Sequence, residues 1–291
     1  MTSGSSECPI CHRETDELGT KRGSRIDQTF HLRRCMACDF SFVADPCTDY
    51  AAIYDEEYYL GRGSDPMVDY ASEYSDPETT IRRHDWEGLE EVVTSLCPAR
   101  GRWLDYGCGN GGLVRHVAAK GHWTVFGHDT GAWASRARSD GLQVLTEEEL
   151  RATRNTFDVI TVIEVIEHIP DPVSFLSHLR ELARPGALLF LTTLNARVAP
   201  KDFPAWPYVI PEIHVSFFTP KALAVALEKS GFKPSYPGFV PGWEKIIRFK
   251  VLKNLGARHN SSWHSILPWP LLARLVDLKY QVTRLPVGIA I

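Results

Sequence analysis

Between residue 98 and about residue 240, short β-rich runs alternate with helical patterns. This alternation is typical of βαβ units, in which a helix crosses over between two parallel strands. The strands that we predict are residues 102–106, 123–128, 142–145, 157–163, 187–193 and 232–239, with a last strand at 287–291. The pattern therefore predicts an α/β fold built around a parallel sheet.

Two helices of this region have clear start signals. Asp171-Pro172 and Thr219-Pro220 each place an N-cap residue before a proline at the first helical position. Apolar residues then follow at helical spacing. We expect Pro185-Gly186 to end the first of these helices and Gly231 to end the second.

A glycine-rich loop follows the first predicted strand and opens a helix, which is the context that a nucleotide-binding loop requires. It reads Asp105-Tyr-Gly107-Cys-Gly109-Asn-Gly-Gly112. Glycine lets the backbone turn sharply and approach a ligand without a Cβ in the way. Enzymes that use NAD share this pattern, and a tight turn without a ligand would also produce it. The ligand therefore has to be inferred from the neighbouring acidic residues.

Two acidic residues favour a cationic nucleoside over a dinucleotide. Asp105 precedes the first glycine by two residues, where a carboxylate would repel a pyrophosphate but suits a ligand with an ammonium group. Asp129 ends the next strand, where an acid can accept hydrogen bonds from both ribose hydroxyls. A helix N-cap is the alternative role for Asp129.

The stretch from about residue 58 to residue 232 resembles the class I S-adenosylmethionine-dependent methyltransferases, in particular the bacterial small-molecule and cell-surface-sugar group. Besides the glycine loop, four segments carry the resemblance: Phe157-Asp-Val-Ile-Thr-Val-Ile-Glu164-Val-Ile-Glu167-His168, Leu182-Ala-Arg-Pro-Gly186, Thr193-Leu-Asn195, and Ile213-His214-Val-Ser-Phe217-Phe-Thr-Pro. The resemblance implies a Rossmann-like, seven-stranded and mostly parallel sheet with helices on both faces. It also implies S-adenosyl-L-methionine as the cofactor.

The cofactor-binding residues expected from the loop and from this resemblance lie in the glycine loop, at the ends of the following strands, and in an aromatic lead-in that could form a lid. They are Tyr59, Asp105, Tyr106, Gly107, Cys108, Gly109, Asp129, Thr130, Thr146, Ile163 and Glu164.

Four N-terminal cysteines form two Cys-x-x-Cys pairs, Cys8 with Cys11 and Cys35 with Cys38. Two-residue spacing lets both thiolates of a pair hold one metal ion, and two pairs complete a tetrahedron. We predict a structural Zn²⁺ site, since four thiolates leave no open ligand position. Rubredoxin-like iron and unligated thiols are the alternatives.

Two histidines are candidates for the catalytic base. The cofactor supplies the reactivity in methyl transfer, so the protein mainly positions the acceptor and removes its proton. Histidine suits this task near neutral pH. His214 lies on a Pro-rich segment, and His168 ends the run Glu164-x-x-Glu167-His168. Purely structural or orienting roles are the alternatives for both.

The same acidic run resembles an arrangement that binds magnesium in ubiquinone-biosynthesis O-methyltransferases. Two carboxylates and an imidazole could hold a divalent ion. We prefer a satisfied polar cluster to a Mg²⁺ site at this position.

Charge is unevenly spread along the chain. The net charge is −4, yet residues 239–291 contain eight basic and two acidic residues, so this segment is cationic and the remainder strongly anionic. The overall balance argues against general nucleic-acid binding. For residues 241–285 three interpretations stay open: a helical insert that covers the active site or forms a homodimer contact, an interfacial helix that contacts a membrane surface, and a site for an anionic nucleotide sugar.

We divide the chain into a zinc-binding module (1–45), an N-terminal cap and linker (46–97), a cofactor-binding core (98–240), and a basic helical insert with the final strand (241–291). The chain starts without a secretory signal pattern, and its apolar runs are far shorter than the ~20 residues of a membrane span. A cytoplasmic protein is therefore expected, with cysteines that are reduced or bound to metal.

The expected activity is O-methylation of a small molecule or sugar, nucleotide- or lipid-linked. C-methylation of a nucleotide sugar and methylation of ribosomal RNA are the alternative reactions. A degenerate cofactor-binding scaffold without activity is the alternative that is not an enzyme.

Overall fold

The computed structural model describes residues 6–49, 53, 57, 60 and 70–291. The strands are β1 (Asp16–Arg22), β2 (Thr29–Cys35), β3 (Phe40–Val43), β4 (Arg102–Tyr106), β5 (Thr124–His128), β6 (Val144–Leu145), β7 (Phe157–Ile163), β8 (Ala183–Thr192), β9 (Ser216–Phe217), β10 (Phe232–Ser235) and β11 (Val287–Ala290). The α-helices are α1 (Tyr70–Ser75), α2 (Arg82–Leu96), α3 (Gly112–Ala119), α4 (Ala132–Ser139), α5 (Glu147–Arg151), α6 (Pro172–Leu182), α7 (Pro220–Lys229), α8 (Trp243–Asn254) and α9 (Trp269–Tyr280).

The larger sheet has seven strands in the order β10-β11-β8-β7-β4-β5-β6. The strands from β8 to β6 pair in parallel, whereas β11 runs antiparallel to both of its neighbours. The predicted fold class, a Rossmann-like and mostly parallel seven-stranded sheet with helices on both faces, is confirmed.

Alternation along the central strands divides the core between the two faces of this sheet. Leu104 and Ile160 pack on one face with residues of α6 and α7. Trp103 and Val159 point to the other face and pack with residues of α2, α3 and α8. Because both faces are covered, the apolar residues Phe157, Val159, Ile160 and Val162 of β7 are fully buried, as expected for a central parallel strand.

The predicted helix starts are hydrogen-bonded N-caps. The side chain of Asp171 accepts from the amide of Ser174 at 3.0 Å, and that of Thr219 accepts from the amide of Ala222 at 3.2 Å. The predicted end of the first helix was wrong, because α6 ends at Leu182 and β8 begins at once. Pro185-Gly186 lies inside β8, where the pairing with β7 shifts register.

The smaller sheet links the N-terminal module to the core. It is antiparallel, with the order β1-β2-β3-β9, and β9 comes from the segment that follows β8 in the chain. Phe40 of β3 packs on Phe218, with ring centroids 4.9 Å apart. The module therefore shares a sheet and a hydrophobic core with the stretch that contains His214.

The C-terminal insert returns over the larger sheet through a close helix crossing. Gly242, just before α8, has φ +94°, and a Cβ there would lie 2.2 Å from the carbonyl oxygen of Gly88 in α2. Only glycine permits this approach, which brings α8 across the ends of the central strands. Within the described part of the chain, no helix is both long and apolar enough to cross a membrane.

Candidate active site

A cavity of about 1040 Å³ lies at the carboxyl ends of β4, β7 and β8, between the sheet and helices α1, α2, α8 and α9. Open α/β sheets bind their ligands at this edge. Seven of the residues predicted from the sequence line it: Asp105, Gly107, Cys108, Ile163, Glu164, His168 and His214.

The glycine loop takes its shape from its own hydrogen bonds. Gly107 has φ +83°, and a Cβ there would lie 2.3 Å from a methyl carbon of Val165. The amides of Gly107 and Cys108 both donate to the carbonyl of His128, at 2.7 and 3.1 Å. These two amides already donate to His128. A ligand ammonium would therefore contact the carbonyl oxygens of the loop and the carboxylate of Asp105, which precedes the loop.

That acid, Asp105, is buried at the base of the cavity. The indole N–H of Trp103 donates to the hydroxyl of Thr161 at 2.9 Å, and this hydroxyl donates to Asp105 at 2.8 Å. Burial raises the pKa of Asp105 to about 7, because the bond from Thr161 offsets only part of the desolvation. A cationic ligand above it would favour the ionised form.

Asp129 joins the glycine loop to the start of α4. One carboxylate oxygen accepts from the amide of Gly109 at 3.0 Å, and the other accepts from the amide of Gly131 at 2.7 Å. The N-cap residue of α4 is Gly131, and no side chain among the described residues caps this helix, so the alternative role of Asp129 as a helix N-cap was wrong. A carboxylate has about four acceptor positions, so two bonds leave capacity for ribose hydroxyls.

The remaining predicted residues do not line the cavity. Tyr106 packs against the rings of His128 and Phe175, and Thr146 caps α5 through a capping box with Glu149. Asp129, Gly109 and the exposed Thr130 lie outside the lining as well. Tyr59 lies outside the described residues.

The acids of a buried ionic cluster in the cavity wall, Glu73 and Asp85, were missed at the sequence level. Arg82 of α2 lies 3.4 Å from Glu73 of α1 and 3.2 Å from Asp85. Burial disfavours the guanidinium charge, but the two acids outweigh it and raise the pKa of Arg82. The sequence pattern could have indicated this cluster, because Arg82 and Asp85 lie on the same inward face of the helix as the buried Leu89. Charges on an apolar face indicate a polar ligand or a buried ion pair.

Helix α8 supplies a cation opposite this cluster. The Lys250 ammonium lies 2.9 Å from the carboxylate of Glu164, which also accepts from the hydroxyl of Thr192 at 2.8 Å. Burial opposes ionisation of Glu164, yet these partners hold its pKa at about 2. Glu164 has φ +54°, a rare conformation for a non-glycine residue that often marks functional sites.

The two candidate histidines lie side by side, with ring centroids 5.1 Å apart. Nδ1 of His168 bonds to the carbonyl of Ile213, and Nδ1 of His214 bonds to the carbonyl of Tyr208, each at 2.8 Å. A carbonyl oxygen can only accept, so Nδ1 must carry the proton in both rings. Each neutral ring therefore has its lone pair on Nε2.

The neighbouring Glu167 is buried and accepts from the hydroxyl of Thr193 at 2.8 Å. Burial and the charge of Glu164 raise the pKa of Glu167 to about 8, so this acid is largely protonated at neutral pH. One ligand atom each from Glu167, His168 and His214 lie within 4.8 Å of one another, which is close enough to share a metal ion.

The four cysteines of the N-terminal module meet at one point. Cys8 and Cys38 have their sulfurs 3.5 Å apart, those of Cys11 and Cys35 are 3.3 Å apart, and all four lie within 4.8 Å. A disulfide needs about 2.05 Å, whereas the edge of a tetrahedral zinc–thiolate site is about 3.8 Å. The cluster therefore fits a metal ion held by four thiolates.

Comparison with known proteins places these features in context. A family model described as a methyltransferase domain matches residues 81–235. The ubiquinone biosynthesis O-methyltransferase of Hahella chejuensis is 40% identical over 112 residues, which are 35% of this chain and 46% of that protein. Its counterpart from Rhizobium leguminosarum bv. trifolii is 36% identical over 127 residues, 40% and 50% of the two chains. The chain spans about half the length of these curated relatives.

Among solved structures, a chain from the complex between the Haloferax volcanii Trm112 methyltransferase activator and a methyltransferase aligns with a TM-score of 0.50. The two sequences are 14% identical, and the alignment covers 76% of this chain and 97% of that chain. This likeness concerns the fold alone.

Proposed function

Because the chain belongs to the methyltransferase-domain family, we propose that it transfers the methyl group of S-adenosylmethionine to a hydroxyl group of a small, largely apolar molecule. One observation carries this proposal: the glycine loop with Asp105 and the imidazole of His214 line the same cavity. The curated relatives, whose names describe O-methylation in ubiquinone biosynthesis, support the choice of oxygen as the acceptor atom.

The cofactor would lie against the glycine loop. S-adenosylmethionine supplies a methyl group on a positively charged sulfur, which is the electrophile of the reaction. Ionised Asp105 would stabilise the adjoining ammonium group, and Asp129 would accept from the ribose. Arg82, one of the cations in the cavity wall, would receive the methionyl carboxylate, which would weaken its ion pair with Asp85.

The acceptor would occupy the opposite side of the cavity. This wall is mainly apolar and aromatic, with Leu194, Val198, Trp206 and Phe217 among its residues. Such a lining favours an apolar or aromatic acceptor over a sugar, because sugar hydroxyls buried there would lose hydrogen bonds to water.

We assign His214 as the general base. Its proton is fixed on Nδ1 by the Tyr208 carbonyl, so Nε2 can accept the hydroxyl proton as the oxygen attacks the methyl carbon. His168 donates to the carbonyl of Ile213, the residue immediately before His214. We therefore assign His168 a positioning role.

The donor set near these histidines does not fit Mg²⁺. Glu164, the first acid of the sequence run, is engaged by Lys250 and Thr192. What remains is Glu167 with two imidazoles, whereas Mg²⁺ prefers oxygen ligands in octahedral geometry. The proposed mechanism uses no step through magnesium.

For the N-terminal module we propose a structural Zn²⁺ ion held by Cys8, Cys11, Cys35 and Cys38. The geometry of the cluster supports this assignment, and a closed four-thiolate site gives the ion no reactive position.

Radiolabelled S-adenosylmethionine tests the proposed reaction. Label should pass to alkyl-substituted catechols or phenols and be recovered in the organic phase, but not to nucleotide sugars or ribosomal RNA. Titration calorimetry with S-adenosylhomocysteine provides the control. A protein that binds no S-adenosylhomocysteine, or that labels only nucleotide sugars or RNA, would contradict the proposal.

A further inference from the structure

Helix α9 exposes a stripe of large apolar side chains. Leu271, Leu275 and Leu278 are 60%, 54% and 68% exposed, and Ile266 in the preceding turn is 81% exposed. The opposite side of the helix is already packed, since Trp269 and Ala273 are buried. Contiguous exposed apolar surface on a folded protein indicates an interaction site.

Cations flank this stripe on both sides. Successive helix residues are about 100° apart, so the three leucines fall within an arc of about 60°, with Arg274 and Lys279 each about 40° beyond its edges. Both cations are exposed. An apolar face bordered by basic residues is typical of helices that lie in the interface of a membrane.

The stripe is continuous with the candidate active site. Leu275 and Lys279 belong to both the exposed surface and the lining of the cavity, and the half-buried Leu272 and Val276 of the same helix line it too. Leu275 is therefore shared by the exposed stripe and the cavity lining, so a molecule that leaves an apolar phase at α9 would enter the cavity beside an apolar side chain.

We propose that α9 docks on the surface of an anionic lipid bilayer, with the leucine stripe in the interface and the mouth of the cavity facing the lipid. Charge selects this orientation. Residues 239–291 are cationic and the rest of the chain is strongly anionic. Lys245 and Lys250 are paired with acids of the core. The cations of this segment that are exposed, Arg258, Arg274, Lys279 and Arg284, would attract an anionic surface, which the anionic remainder would repel. This docking does not depend on the proposed methyl transfer.

A second copy of the chain fits the stripe less well. Across a two-fold axis the same patch would face itself, which would bring Arg274 and Lys279 close to their own copies. Three leucines and one isoleucine are also a small patch beside the 1,200–2,000 Å² that stable interfaces usually bury.

Vesicle co-sedimentation of the full chain tests this docking, with phosphatidylcholine vesicles compared with mixed phosphatidylcholine and phosphatidylglycerol vesicles. We expect binding to the anionic vesicles that weakens at high salt. The double variant L271S/L278S should bind roughly tenfold more weakly, since two apolar anchors are lost. Tyr236, 58% exposed outside the insert, gives the matched control Y236S, which should bind like the wild type.

Two results would overturn the docking surface. One is equal recovery of wild type and L271S/L278S with anionic vesicles. The other is a dimer by light scattering that the double variant converts to a monomer, without vesicle binding by either protein. Unchanged melting temperature and unchanged S-adenosylhomocysteine affinity of the double variant establish that the fold and the cofactor site are intact.

Discussion

The backbone amide of Val43 donates to the carbonyl of Val215 at 2.9 Å. Val215 in turn donates its amide to the carbonyl of Glu167 at 2.8 Å. Val43 belongs to the sheet of the cysteine module, and Val215 directly follows the candidate base His214. One chain of hydrogen bonds therefore runs from the module to the acceptor side of the cavity, and none of these groups belongs to the glycine loop.

This connection predicts that zinc loss impairs the acceptor side more than the cofactor side. Without the metal, the β3–β9 pairing loses its support, and the segment that carries His214 gains freedom. Chelation should release about one equivalent of zinc, lower the melting temperature, and reduce turnover at least tenfold. The S-adenosylhomocysteine dissociation constant should change less than about threefold.

Reloading with zinc after removal of the chelator is the control, and it should restore turnover and melting temperature together. Metal analysis, thermal melting and calorimetry supply the three readouts. An equal loss of cofactor affinity and turnover would mean that the module supports the whole chain rather than the acceptor wall.

Asp105→Asn should raise the thermal stability of the protein at high pH while it weakens binding of S-adenosylhomocysteine. The folded-state pKa of about 7 lies above the ordinary value, so the stability contributed by Asp105 is full below about pH 4 and is lost as the pH rises through 7. The variant should therefore melt several degrees higher than wild type at pH 8, and this gap should shrink towards pH 5. Thr161 can still donate to the amide oxygen of the asparagine.

The same substitution should weaken binding of S-adenosylhomocysteine at pH 8, where the wild type offers a carboxylate to the ammonium group. Wild-type affinity should fall as the pH drops below about 7, while that of the variant should stay flat. Calorimetry between pH 5.5 and 8.5 measures both curves, and parallel curves for the two proteins would count against an ionised Asp105 beneath the ligand.

Asparagine substitutions should distinguish the two histidines. Asn can keep the hydrogen bond that Nδ1 makes to a carbonyl, but it removes the lone pair of Nε2. His214→Asn should lower kcat by about 10²-fold or more, the usual contribution of a general base. His168→Asn should retain most activity, because it keeps the bond to the carbonyl of Ile213.

His168→Ala, which lacks that bond, provides the comparison and should lose more activity than His168→Asn. All three variants should bind S-adenosylhomocysteine like the wild type. If His168→Asn and His214→Asn lose activity equally, the two rings act on the acceptor together.

The sequence predicted the parallel sheet well because its determinants are local. Strand β7 is a mainly apolar run, interrupted only by Asp158 and Thr161, and the caps at Asp171 and Thr219 are short-range patterns. The acceptor side was harder to predict. The proximity of His168 to His214 depends on a hydrogen bond across 45 residues, and the contact of Glu164 with Lys250 spans 86.

Helix ends were less predictable than helix starts for a related reason. Pro185-Gly186 is a strong turn signal, but Ala183, two residues before the proline, already pairs with Phe157 of β7. Strand pairing therefore ends α6 at Leu182, three residues before the end that the local sequence pattern predicted.

Glu167→Gln tests whether this acid is neutral in the folded protein. Burial and the nearby charge of Glu164 raise the pKa of Glu167 to about 8, so glutamine imitates its protonated form. Near pH 5 the variant should melt within about 2 °C of the wild type, because Glu167 is then protonated in the folded and largely in the unfolded chain, and the hydroxyl of Thr193 can still donate to the side-chain oxygen.

Between about pH 5 and pH 8 the two proteins should diverge in a defined direction. Stability tied to protonated Glu167 is lost as the pH rises through its folded pKa, so the wild type should melt below the variant at pH 9. Glu167→Ala, which leaves Thr193 without its acceptor, should be less stable than Glu167→Gln by about 1–3 kcal/mol at every pH, since neither side chain titrates. If Glu167 instead serves as a metal ligand, glutamine should weaken the site, and Glu167→Gln should lose turnover at pH 7 in a way that added divalent cation partly restores.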